Sequence, residues 1–179
     1  MARKHQKVLI VDGYNVINSS ERYSKLINTD SGVSDIYIMA REALISDVAA
    51  IAQHQYDATI VFDAAHNEFS NGKTEYQAGI KIIFSPFRKE ADTVIEKLAK
   101  TSGENAREVI VVTSDQATQW TVVGENVSRF SSRMFIEEIC KVNQDFEDSN
   151  ISYKKATIAD RISPDVLAKL KLMTKQKND

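Results

Sequence analysis

The sequence predicts an α/β domain, a three-layer α/β/α sandwich around a central, mostly parallel sheet. Three observations carry that prediction. Short Val/Ile-rich runs recur along the chain, too continuously apolar for half-exposed antiparallel strands. Segments with helical periodicity separate them, as crossovers between parallel strands require. The three strongest runs each close on an aspartate.

In chain order, KVLIVD (7–12) is the first strand, and its apolar run stops abruptly at Asp12. Gly13 to Asp35 is polar and irregular enough to be a long loop. Ser34 to Gln55 reads as a helix with Ile38, Ala40, Leu44, Ile45, Val48, Ile51 and Ala52 on one face. ATIVFD (58–63) is the second strand, followed by a loop at 67–73 in which Asn71-Gly72 marks a turn. GIKIIFS (79–85) is a further strand. Ser85-Pro86 is the expected start of a helix whose buried stripe is Ala91, Val94, Ile95 and Leu98. EVIVVTSD (108–115) is the next strong strand, with a helix over Gln116–Val123 and a short strand at NVSRFS (126–131). Ser132 to Val142 is a helix burying Met134, Phe135, Ile139 and Val142, and Ser163-Pro164 opens a last helix. The expected division is a domain over 1–148 and a basic helical tail over 149–179.

The bulk properties narrow the function classes. The chain has 179 residues, 42% hydrophobic and 27% charged, enough for one domain with a proper core. Charges interrupt every apolar run before bilayer length, so no membrane association is expected. The basic N-terminus has too short an apolar stretch for a signal peptide, and a cytoplasmic location is expected. Cys140 is the single cysteine, which excludes an internal disulfide and a cysteine-based metal cluster. The net charge of −2 is uneven: Ile151 to Asp179 holds seven Lys/Arg against three Asp/Glu, a local +4 that leaves −6 elsewhere. Such a tail suits contact with a polyanion, and equally a solvated surface.

The aspartates carry the chemistry. Ligands of an open parallel sheet bind outside the carboxyl ends of its strands. Asp12, Asp63 and Asp115 each end a separate expected strand at that edge. A lone strand-end aspartate is usually a turn or a helix cap. Three converging on one cleft need a compensating cation, and hard oxygen donors suit Mg²⁺ or Mn²⁺. Zinc is a poor match, with only His5, His54 and His66 scattered along the chain. Asp92, set among Ala91, Thr93 and Val94 near a helix start, is a fourth candidate, whereas Glu96 reads as a solvated partner of Lys100. Asn15 is able to orient a phosphate or close the turn after Asp12, and Tyr14 to stack on a base or roof the core.

VDGYNVI, VFDAAH, KEADTVIEKLAK, VVTSDQATQW and GENVSRFSSRMFIEEI together resemble the successive motifs of the YacP-like NYN-domain ribonucleases, within the wider PIN-like fold. The resemblance runs from about Lys7 to about Asn143. It implies a metal-dependent endoribonuclease acting on single-stranded RNA, with messenger RNA and the ribosome as expected partners and no nucleotide cofactor. Matched position by position, it assigns Asp12, Asp63, Asp92 and Asp115 to catalysis, and Asp12, Asp92 and Asp115 to the Mg²⁺ or Mn²⁺ ion. Asn15, Ser114, Ser132 and Arg133 are implied substrate contacts, with Thr113 and Ser114 also expected as loop or metal-water contacts. Apart from the resemblance, basic groups outside the cleft, Lys73, Lys81, Arg88, Lys89, Arg133 and the tail, are expected to grip the RNA backbone. Thr118 departs from the family pattern, which often has an acidic residue there. The alternative is a non-catalytic RNA- or ribosome-binding module on the same fold. A phosphatase using a nucleophilic Asp-x-Asp is disfavoured, since Gly13-Tyr14 follows Asp12.

Overall fold

The computed structural model describes residues 7–27, 35–53, 55–64, 71–104, 106, 108–114 and 126–144. The expected helices at 116–123 and after Pro164, the Thr118 position and the basic tail lie outside the described residues. The chain divides into two compact units, Met1–Cys140 and Lys141–Asp179. All of the sheet belongs to the first.

Five of the six strands among the described residues are those expected, all but β6 from apolar continuity. They are β1 (Lys7–Asp12), β2 (Tyr56–Phe62), β4 (Ile80–Phe84), β5 (Glu108–Val112) and β6 (Val127–Phe130). The sixth, β3 (Thr74–Gln77), was not expected: all four residues of TEYQ are exposed, so no apolar pattern marks it. It pairs antiparallel with β4 through a two-residue turn in which Ala78 (φ 50°) and Gly79 (φ 80°) both take positive φ. That turn follows the right-handed strand twist. The remaining pairs are parallel, and the order is β3-β4-β2-β1-β5-β6.

β1 is therefore central, with β2 on one side and β5 on the other. Alternation along the strands divides the core. Leu9, Val11, Ile60, Phe62, Ile110 and Val112 face one layer. It consists of α1 (Gly13–Asn18), α2 (Glu21–Ser24), α3 (Ile38–Ala52) and α5 (132–144). Ile10, Val61, Val109 and Val111 face the other way, against Ala91, Ile95 and Ala99 of α4 (Ala91–Gly103). Three layers result, as expected. Each fully buried Val or Ile contributes about 1.5–3 kcal/mol of transfer free energy, and β1, β2 and β5 each supply buried side chains to both layers.

Four local expectations are corrected. The segment after Asp12 is not a loop throughout, because it forms α1 and α2. The Asp12 side chain caps α1 and Ser20 caps α2, while Val16, Ile17 and Tyr23 are fully buried. Helix α4 does not start at Ser85-Pro86. Those residues enter a turn closed by the Lys89 N–H donating to the Pro86 carbonyl at 2.9 Å, and the helix begins at Ala91. Ile38 and Met134 are exposed at 47% and 53%, so the apolar faces of their helices are narrower than periodicity suggested. Conversely, α3 buries a charge: Asp47 accepts both arms of Arg22 (2.8 and 2.9 Å) and the Tyr23 hydroxyl (2.8 Å). Burial, reinforced by that carboxylate, holds the Tyr23 hydroxyl well above the ordinary tyrosine range.

Candidate functional site at the carboxyl edge of the sheet

From β1 the chain moves to β2 and β4 on one side. It then returns through α4 to β5 on the other. The order thus reverses beside β1, which is where an open α/β sheet binds its ligands. Asp12 is the last residue of β1 and only 8% exposed. Burying a carboxylate requires hydrogen bonds to hold it. Its Oδ1 accepts the Asn15 N–H at 3.2 Å, and its Oδ2 accepts the Thr113 hydroxyl at 3.3 Å. Thr113 follows directly on β5, so the two strand ends are joined across the switch point.

Alternation puts Asp12 on the same sheet face as Ile10, the face covered by α4. A crossover helix runs back against its strands, which brings the first turn of α4 to the same edge. Ala91 there packs in one cluster with Ile10 and Val61, and Asp92 comes next, partly exposed. An acidic residue in a first turn also complements the helix dipole, so Asp92 has a local reason to be there as well. Asp63 follows β2 directly and is exposed. The Ser85 hydroxyl donates to Asp63 Oδ1 at 3.3 Å and accepts the Ala64 N–H at 2.7 Å. Ser85 is itself fully buried and fixes the ends of β2 and β4 together.

A second group closes the edge from the far side. Asn15 Oδ1 accepts the Ser114 N–H at 3.0 Å and the Ser132 hydroxyl at 2.6 Å. The Ser132 N–H donates to Ser114 Oγ at 2.9 Å. The expected substrate contacts Asn15, Ser114 and Ser132 are thus brought together and bonded to one another, with Ser132 fully buried at the start of α5. Ser131 caps that helix by accepting the Met134 N–H at 3.2 Å. Arg133 stands apart, exposed and paired to Glu137 at 3.3 Å. An exposed pair of that spacing is worth little, so the guanidinium is readily given up to another anion.

Asp115 lies outside the described residues. Among the described residues no three His, Cys, Asp or Glu side chains converge as a metal-ligand group. Of the expected metal-holding set the described part is Asp12 and Asp92. Both are hard oxygen donors of the kind that Mg²⁺ and Mn²⁺ select.

Sequence reading overlooked Ser85, Arg41 and Asp47. The signal for the last two was present: Tyr37, Arg41, Leu44 and Val48, and likewise Ala40, Leu44, Asp47 and Ile51, follow the spacing of an apolar stripe. A charge at such a position is a buried charge with a partner. Ser85 gave no signal, because its role depends on where β2 ends.

A profile of the YacP-like NYN domain matches residues 9–175. The chain belongs to the YacP-like NYN-domain family. The crystal structure of Rae1 (YacP) from Bacillus subtilis is similar with a TM-score of 0.67 and 28% identity, covering 95% of this chain and 92% of that one. A variant of the same protein aligns with a TM-score of 0.62 and 29% identity over 79% of each chain. The Bacillus subtilis sequence YacP is 29% identical over 140 residues, 78% of this chain and 79% of its own length. Membership of this NYN family supports the nuclease class and, with it, nucleic acid as the substrate class. No helix among the described residues is long and apolar enough to cross a membrane.

Proposed function

We propose that this NYN domain is a metal-dependent endoribonuclease that hydrolyses phosphodiester bonds in single-stranded RNA, its substrate being cytoplasmic messenger RNA, including ribosome-bound messenger RNA. The observation that carries the reading is the buried carboxylate of Asp12 at the end of the central strand, on the sheet face where the first turn of α4 presents Asp92. A groove that merely bound RNA would gain nothing from an anion buried there, because phosphate repels it.

In this reading Asp12, Asp92 and Asp115 hold Mg²⁺ or Mn²⁺, and Asp63 supports them from the end of β2. When bound, such an ion lowers the pKa of water and offsets charge developing on the scissile phosphate. The chain's own residues supply the positioning. Thr113 and the Asn15 N–H each fix one Asp12 oxygen, so the carboxylate meets its ligand without reorganising. The Asn15 side-chain oxygen faces Ser114 and Ser132, which turns its amide nitrogen outward as a donor for a phosphate oxygen. Arg133 grips the RNA backbone outside the cleft, and Arg88 and Lys89 do so from the turn before α4.

The test incubates the purified chain with unstructured and structured RNAs, alone and on loaded ribosomes, in Mg²⁺, Mn²⁺ or EDTA. Internal cuts that need the ion and vanish in Asp12→Asn are expected. RNA binding without any cut, with every ion and on ribosomes, would assign the non-catalytic module instead.

A further inference from the structure

Arg41 lies in α3, on the side of the sheet away from Asp12, with its side chain only 14% exposed. Its guanidinium forks onto Asp35: Nη1 donates to Oδ1 at 3.2 Å and Nη2 to Oδ2. Nη1 also donates to the Tyr14 hydroxyl at 3.0 Å. The same group sits 5.8 Å from the Phe62 ring centre and 5.7 Å from that of Phe84. Tyr14, Phe62 and Phe84 form a row, with neighbouring rings 5.1 and 5.5 Å apart.

Each of these aromatic residues adjoins a residue of the candidate site. Tyr14 stands between Asp12 and Asn15. Phe62 precedes Asp63, and Phe84 precedes Ser85, whose hydroxyl donates to Asp63. Successive residues at a strand end point to opposite faces, so the rings of Phe62 and Phe84 pack behind the sheet while Asp63 and Ser85 serve the front, and Tyr14 joins the row from the first turn of α1. The row has no slack: a Cβ on Gly13 would lie 2.3 Å from Phe62 Cε1. A purely apolar side chain could fill the space over the rings. Only a planar fork also bonds Tyr14 and Asp35 in fixed directions.

We propose that Arg41 is a positioning residue that aligns, from behind the sheet, the strand ends carrying Asp12 and Asp63. The proposal rests on the catalytic assignment of that edge. Arg41 touches no substrate. It holds Tyr14, and through it the first turn of α1, so that the Asn15 N–H stays directed at Asp12. Across the rings it holds the ends of β2 and β4 in register.

The test pairs two readouts on the full chain. Amide hydrogen exchange without metal is followed at Asn15 and Ala64, whose N–H groups bond Asp12 Oδ1 and Ser85 Oγ, with Val111 as a core reference. Arg41→Met is expected to speed exchange at both amides about tenfold and leave Val111 unchanged. Tyr14→Phe, which keeps the ring and removes one hydrogen bond, is expected to do so at Asn15 and guards against a misfolded Arg41 variant. In RNA cleavage, kcat should fall about tenfold in Arg41→Met with KM within about twofold, and Arg41→Lys should fall between it and wild type. Unchanged exchange at Asn15, exchange raised equally at Val111, or a loss confined to KM would each overturn the proposal. Absence of cleavage by the wild type overturns the nuclease reading, and the exchange data then decide the positioning role alone.

Discussion

Asn15 and Ser132 stand 117 positions apart in the chain, and the hydroxyl of one donates to the side-chain oxygen of the other at 2.6 Å. Together with Ser114 they close a ring that joins the first turn of α1, the end of β5 and the start of α5. Ser132→Ala should cost about 1 kcal/mol, the net worth of one hydrogen bond. Asn15→Ala should cost more, about 2 kcal/mol, because the buried Ser132 hydroxyl and the Ser114 N–H both lose their acceptor. Urea unfolding of the two variants and their double mutant checks this, the expected sign being a double-mutant cost smaller than the sum.

Asp12 caps α1 and, in the proposed function, also holds the ion, and its substitutions should divide the two roles. As a helix cap, Asn serves as well as Asp, whereas Ala costs about 1 kcal/mol. Asp12→Asn should therefore melt close to wild type while abolishing ion-dependent RNA cleavage. Asp12→Ala should lose both. Thermal melts beside cleavage assays measure the division, and equal destabilisation by the two substitutions would contradict the capping geometry.

Arg88 takes φ 62°, a left-handed conformation that costs a side chain about 1–2 kcal/mol relative to glycine. Its guanidinium lies 5.0 Å from the Phe87 ring centre, an exposed contact worth about 0.5–1 kcal/mol in return. Arg88→Gly should therefore raise the melting temperature slightly, by about 1–3 °C for a chain of this size. RNA affinity should fall at the same time, with a shallower salt dependence. A lower melting temperature would show that the turn is not strained.

Hydrogen bonding to Arg41 holds the Asp35 carboxyl below its ordinary value. A depressed carboxylate pKa contributes stability that is present above the unfolded value and lost as pH falls through the folded one. The stability gap between wild type and Asp35→Asn should thus be constant from neutral pH down to about pH 4–5 and shrink below it. Denaturant unfolding across that range reads the effect directly. It should be small, since the Asp35 side chain is 42% exposed.

β1, β2, β4 and β5 were legible because each is a largely apolar run, rich in Val and Ile, that has to be covered on both faces. Once those runs are strands of one sheet, the aspartates that end them fall at its ligand edge, so Asp12 and Asp63 were legible too. β3 was not, since TEYQ is wholly exposed and its turn uses Ala78-Gly79 in place of an Asn-Gly signal. Helices α1 and α2 were not, because each is shorter than any periodicity test resolves. They are held by their caps and by Val16, Ile17 and Tyr23 sinking beneath them.

Local chemistry was thus sufficient for the central strands and for placing Asp12 and Asp63 at their ends: burial of an apolar run is a property of the run itself. Partnership is not. That Ser85 holds Asp63, that Asn15 turns its oxygen to Ser132, and that Arg41 grips Tyr14 depends on which distant residues arrive within about 3 Å. A hydrogen bond needs both of its ends in place, and only the folded chain brings them together.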